Sequence, residues 1–307
     1  MSFAQKNLSF SIEHLIGSDP FTTESSFTNN LGNEIKPTTL KYYVSEISIT
    51  HDGGQELLIE DLFLLVKAED GTVEVNLTDL DFTELEGLKF HIGVPEDLNH
   101  ADPGLQPSGH PLAYQSPSMH WGWAGGYKFL VTEGSSGAAA NNFQIHSTGD
   151  ALYTAVNLDL NISAETVSDV SFTLNADYAQ LYKNIQMENG VFNHGQFAEA
   201  AVAVSNLANE VFSVGDIVLN TTNPTFTGSY TFAPNPTTNG MVNLKADLVE
   251  FNDYTLNVRN ILGQQVQSYQ FQGDKLDYTI ADLNSGIFVV EVSNAEGVLF
   301  NEKIIVQ

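Results

Sequence analysis

Lys41-Tyr42-Tyr43-Val44-Ser45-Glu46-Ile47-Ser48-Ile49 decides the fold class, because β-branched and aromatic residues dominate it. His51-Asp-Gly-Gly54 follows as a turn. Downstream, Leu57 to Ala68 is a second apolar strand region, and Asp70-Gly71 is a hairpin signal before Thr72–Leu77. Leu88–Val94, Tyr127–Thr132, Asn142–His146 and Ala155–Ile162 are further expected strands. Short strands with turn signals at intervals of about 8–12 residues predict a sandwich or barrel rather than βαβ units. Two helical patches are expected, a short one at Asp177–Leu181 and an alanine-rich one at Phe197–Leu207.

Thr221-Thr-Asn-Pro-Thr225 is a polar, proline-containing link. Beyond it, Val242–Leu244, Tyr254–Asn260, Gln264–Phe271, Tyr278–Ile280, Gly286–Ser293 and Val298–Val306 all have strand character. The expected architecture is therefore all-β, in two domains. The first, 8–220, is a β-sandwich with a long His/Trp-rich loop and a minor helix. The second, 231–307, is a small Ig-like β-sandwich. The second holds no histidine, tryptophan or cysteine, which places metal chemistry in the first.

The chain has 307 residues, 42% of them hydrophobic, so it can bury a sizeable core. Eleven Lys and Arg against 38 Asp and Glu give a net charge of −27, which argues against nucleic acid and anionic lipid as partners. It favours solubility outside the cell and leaves room for calcium at acidic surface sites. The absence of cysteine excludes disulfides, thiolate catalysis and cysteine-based metal sites. No apolar run approaches the ~18 residues of a membrane span. The start, Met1-Ser2-Phe3-Ala4-Gln5-Lys6, is similar to the end of a signal peptide, so an exported protein is expected.

Five of the eight histidines and both tryptophans fall between His91 and His146. Its centre is HPLAYQSPSMHWGWAGGYKF, His110 to Phe129. Imidazoles crowded around indoles without thiols point to borderline-soft metal chemistry, copper above all. There is no His-Glu-x-x-His, no Gly-x-Ser-x-Gly and no phosphate loop. From Pro95 to Gly126 the chain is rich in proline and glycine and lacks periodicity, as in a functional loop, and its aromatics Tyr114, Trp121 and Trp123 argue for order. His14, His51 and His194 are expected as surface or hydrogen-bonded histidines, and His100 sits in a polar turn. His91 and His146 lie in apolar runs, where an unpartnered imidazole is costly. With His110 and His120 they are the candidate metal ligands. Two alternatives stand beside copper binding. One is a metal-dependent oxidase or hydrolase using Glu96, Asp97 or Asp102. The other is a structural or adhesive surface module in which Trp121 and Trp123 are ordinary packing residues.

Two resemblances sharpen this. Pro234-Asn-Pro236, Gly240, Leu262-Gly-Gln-Gln-Val266, Leu283-Asn-Ser-Gly286, Ile287-Phe-Val-Val-Glu291 and the ending Lys303-Ile-Ile-Val-Gln307 resemble the type A sorting domain of the bacterial type IX secretion system. That resemblance implies a Gram-negative, Bacteroidetes-type source, export and the secretion machinery as a partner. Leu40-Lys-Tyr-Tyr-Val-Ser-Glu-Ile47, Phe90-His-Ile-Gly-Val94, Asn99, Met119-His-Trp-Gly-Trp-Ala-Gly-Gly-Tyr-Lys-Phe129, Glu133-Gly134, Phe143-Gln-Ile-His146 and Asp177-Tyr-Ala-Gln-Leu-Tyr182 resemble the MbnP-like family of exported copper-binding proteins. This second resemblance implies copper as cofactor, no enzymatic activity, and a di-haem cytochrome peroxidase-like partner that oxidises Trp121 or Trp123 to kynurenine. It also carries His146 over as a family histidine.

Overall fold

The computed structural model describes residues 6–165, 167–220, 228–261, 263–295 and 297–307. The signal-like start at 1–5, the link at 221–225 and Leu262 lie outside the described residues. The chain is all-β and divides into two compact units, Met1–Asn220 and Thr221–Gln307.

In the first unit two sheets share one core. The smaller runs Phe212–Asn220, Asp169–Asp177, Lys6–Ile16 and Asp19–Pro20, with Val73–Leu80 also paired to Lys6–Ile16. Lys6–Ile16 alternates as a half-buried strand must: Leu8, Phe10 and Ile12 are buried, whereas Ser9, Ser11 and Glu13 are not. The larger sheet runs Thr154–Ser163, Glu84–Ile92, Glu34–His51, Lys128–Ser136, Asn141–Thr148 and Phe192–Gly195. Tyr42 and Phe90 of the larger sheet meet Phe212 of the smaller, with ring centroids 6.1 and 5.1 Å apart.

The Lys41–Ile49 stretch is central in the larger sheet and buried on both faces. Tyr42 faces the opposing sheet, where its hydroxyl lies 3.1 Å from that of Tyr178. Tyr43 faces the other way and is covered by the 95–126 segment. Its ring packs edge-on to Tyr127 at 5.4 Å, and its hydroxyl donates to the Pro111 carbonyl. The long loop is thus a lid on the outer face of the larger sheet.

Local structure departs from expectation in two places. Asp70-Gly71 does not close a hairpin, because Leu64–Lys67 pairs with Glu34–His51 and Val73–Leu80 pairs with Lys6–Ile16. Gly71 (φ 91°) supplies a turn that carries the chain from one sheet to the other, and turn chemistry does not choose the next strand's partner. The helical patch expected at Asp177–Leu181 is a shorter and later turn: Asp177 ends a strand, its carboxylate accepts the backbone N–H groups of Gly17 and Ala179, and a 3-10 turn follows at Gln180–Tyr182. The alanine-rich helix is present at Ala198–Asn206 and continues as one π-helical turn, Leu207–Val211.

In the second unit Ser229–Ala233, Val242–Asn260, Gly286–Asn294, Gly297–Val306 and Gln265–Ile280 form one hydrogen-bonded sheet. The segments expected at Val242–Leu244 and Tyr254–Asn260 belong to one strand whose register shifts between Asp247 and Asn252. Its own core includes Val242, Leu244, Leu256, Val258, Ile280, Val290, Val292 and Ile304.

Candidate functional site

Strand register brings two histidines together. Along Asn141–Thr148, Phe143 and Ile145 face the core, and Ser147 donates to the Ala200 carbonyl of the helix. Gln144, His146 and Thr148 therefore face outward. His146 stands opposite His194 in the parallel pairing with Phe192–Gly195, and opposite Val131 in the antiparallel pairing with Lys128–Ser136. Directly opposed residues share a face. The two imidazoles accordingly stack, with centroids 4.2 Å apart and planes within 1°. Two residues along from Val131, Glu133 shares that face and places Oε1 2.7 Å from His146 Nε2.

Trp121 completes the group. Its ring lies 5.7 Å from His146 and 5.4 Å from His194, tilted 50° to both. The Lys128 ammonium sits 4.9 Å above the Trp121 ring and donates to the Ser118 carbonyl. Trp121 is 40% exposed, against 84% for Trp123.

The loop that carries Trp121 is tied at both ends. The Trp121 N–H donates to the Gly126 carbonyl, and the Gly126 N–H to the Gly122 carbonyl. Gly126 has φ 68°, and a Cβ there would lie 2.5 Å from Asn99 Oδ1, so glycine is required. Asn99 is fully buried. Its Oδ1 accepts the Tyr127 N–H at 2.7 Å and its Nδ2 donates to Asp150 at 2.7 Å. His100 bridges the Trp123 carbonyl (2.6 Å) and the Asp150 carboxylate (3.0 Å). The Thr148 hydroxyl donates to the carbonyls of Gly125 and Tyr127.

The four histidines singled out from sequence lie in separate surroundings. His91 is on Glu84–Ile92, three strand-to-strand steps from His146, or ~14 Å at ~4.8 Å per step. It stacks on Tyr153 at 4.6 Å, and its Nδ1 lies 3.3 Å from Glu46 Oε2. His110 packs against Phe63, and its Nδ1 accepts the Leu112 N–H. His120 packs edge-on to Tyr127, and its Nδ1 accepts the Gly122 N–H. Of the four, only His146 is in ring contact with Trp121. Asp102 is held by the Gly104 N–H and the Tyr114 hydroxyl, and its charge acts on His120. Among the residues expected to be ordinary, His14 lies between the Tyr178 hydroxyl and the Gly71 carbonyl, and His51 pairs with Asp52. His194 is the residue that sequence reasoning missed. Phe192-Asn-His-Gly195 carries no ligand spacing relative to His146, and only the parallel pairing joins them.

Burial holds the His146 imidazole below its ordinary pKa, although the Glu133 hydrogen bond pulls the other way. Burial likewise lowers His91 and His120. A depressed value favours the neutral imidazole, the form that binds metal. The Nδ1 of His146 is buried and has no hydrogen-bond partner, so a polar lone pair is left unsatisfied beside a second imidazole. Among the described residues no group of three or more His, Cys, Asp or Glu side chains is arranged to hold an ion. Calcium at acidic surface sites, expected from the charge, finds no support there. What the fold does gather is two imidazoles and one indole, a donor set that suits a soft or borderline ion if the indole becomes a ligand.

Comparison with known proteins places both units. Residues 231–307 match the family described as secretion system C-terminal sorting domain, so the chain is an exported, cell-surface protein. No helix among the described residues is long and apolar enough to cross a membrane. Among solved structures, MbnP from Methylosinus trichosporium is similar with a TM-score of 0.43 and 10% identity, over 61% of this chain and 81% of that one. An endonuclease/exonuclease/phosphatase from Beutenbergia cavernae DSM 12333 gives a TM-score of 0.18 and 8% identity, over 99% and 100% of the two chains. No curated protein matches. Residues 5–200 match the MbnP family model, which spans more than half of the chain and includes His146, His194 and Trp121, and the chain belongs to the MbnP family.

Proposed function

We propose that this protein binds copper at the cell surface, for acquisition or sequestration, and is not an enzyme. His146 and His194 are the imidazole ligands, and Trp121 is the tryptophan that is oxidised to kynurenine. The carrying observation is the meeting of these three rings at one place on the outer face of the larger sheet. Indole N–H is a donor only, so unmodified Trp121 is a poor ligand. Kynurenine exposes an aromatic amine and a carbonyl, either of which can complete a site that two imidazoles leave short of donors. A di-haem peroxidase-like enzyme is the proposed catalyst, with dioxygen as oxidant: both oxygen atoms add across the cleaved indole C2–C3 bond to give N-formylkynurenine, and hydrolysis releases the former C2 as formate. Copper would supply a soft centre for these donors.

The protein's own residues prepare the place. Burial favours the neutral form of His146. Stacked rings direct their lone pairs side by side, so a shared ion requires one ring to turn, and the exposed His194 has the room to do so. The acidic surface draws cations by long-range attraction, screened beyond ~8–10 Å at physiological salt.

The test is peptide mass spectrometry on protein from its native source, paired with metal analysis. The expected result is the Trp-to-kynurenine mass change on Trp121, with Trp123 unchanged and about one copper per chain. Unmodified Trp121 with bound copper would reduce the site to its imidazoles. Absence of copper from native protein would overturn the reading.

A further inference from the structure

We infer that Glu133 is a positioning residue that fixes the tautomer of His146, so that Nδ1 is the nitrogen that meets the metal; this inference rests on the copper reading. An ionised carboxylate only accepts hydrogen bonds. Its Oε1 lies 2.7 Å from His146 Nε2, so the proton of the neutral imidazole is on Nε2. The lone pair is then on Nδ1, the nitrogen that is buried and without a partner. The ring is held in that orientation from two sides, by His194 stacked at 4.2 Å and Trp121 tilted across at 5.7 Å. Glu133 is itself placed by register. It lies on the strand adjacent to that of His146, two residues beyond its cross-strand partner Val131.

A carboxylate hydrogen-bonded to the far nitrogen of a metal-ligating histidine orients the ring and makes the near nitrogen a stronger donor. Loss of such a partner typically weakens metal binding about 10–100-fold. Sequence spacing offers no sign of this pair, because Glu133 and His146 stand on different strands of a hairpin.

The test is side-chain nitrogen NMR of His146 in metal-free protein, together with Cu(I) affinity by competition with a colorimetric chelator. Wild type is expected to show the Nε2–H tautomer alone. Glu133→Ala is expected to show both tautomers and about 10–100-fold weaker Cu(I) binding. Glu133→Gln keeps an acceptor oxygen without charge and should fall between the two, which guards against a folding defect in the alanine variant. An unchanged Nε2–H tautomer in Glu133→Ala, or Cu(I) affinity within twofold of wild type, would overturn the inference. Wild type that binds no Cu(I) would instead overturn the copper reading, and the tautomer measurement would still decide what Glu133 does.

Discussion

At the scale of single residues, the site turns on which histidines share a face. His120 precedes Trp121 in the chain, yet it packs against Tyr127 while Trp121 packs against His146 and His194. In the proposed site, strand register brings in His194 where chain adjacency pointed to His120. This yields a sharp expectation. His146→Ala and His194→Ala should each lower copper stoichiometry or weaken binding by at least ~10-fold, while His91→Ala, His110→Ala and His120→Ala should bind as wild type. Metal analysis after dialysis against a weak chelator measures this, with circular dichroism to confirm folding. Retention of copper by His194→Ala, or its loss in His91→Ala, would move the site elsewhere on the sheet. Of the two proposed ligands, His146 was already singled out in the sequence, as an imidazole in an apolar strand and as a family position. His194 was not, because a lone histidine beside glycine has no signature until its strand finds a neighbour 48 residues upstream in register.

At the scale of elements, most strands of the larger sheet and the long loop were legible and their partners were not. Lys41–Ile49 was expected and lies within Glu34–His51, whereas Lys6–Ile16, Asp169–Asp177 and Phe212–Asn220 of the smaller sheet were not among the expected strands, although Lys6–Ile16 alternates with period 2. The Asp70-Gly71 turn shows the limit, since a local reversal can join strands of one sheet or pass between two. Order in the 95–126 loop follows from its aromatics and from Asn99, which satisfies buried backbone that a bare loop would leave unpaired. His100 adds a pH-dependent tie to this element. Both of its partners, the Trp123 carbonyl and the Asp150 carboxylate, only accept hydrogen bonds. The doubly protonated ring satisfies both, and Asp150, the Trp123 carbonyl and Glu96 raise its pKa. A raised native value means the stabilisation is complete below the unfolded value of about 6.5 and is lost as pH rises through the native one. Thermal midpoints of wild type and His100→Gln should therefore differ most near pH 6 and converge by about pH 9. A difference that is constant across that range would show that the imidazolium is not what ties the loop.

At the scale of the whole molecule, two hydrophobic clusters share no residue, and the candidate site lies wholly within the first unit. The missing cysteines excluded disulfides and thiolate ligands from composition alone, and the acidic charge argued against nucleic acid. The sorting unit was legible too, because 231–307 contains no histidine or tryptophan and matches a sorting domain. If sorting and metal binding are separate, each unit should carry its function without the other. A chain ending at Asn220 should fold, keep the His100-linked pH dependence and bind copper with the affinity of the full chain. The full chain should show two calorimetric transitions, of which the shortened chain retains one, since domains with their own cores unfold as separate cooperative units. Secretion should fail in the shortened chain, because the matched sorting domain is gone. Loss of copper binding on removal of 221–307, with the first unit still folded by circular dichroism, would mean that the second unit contributes to the site. The ring contacts of His146, His194 and Trp121, all internal to residues 121–194, argue against that outcome.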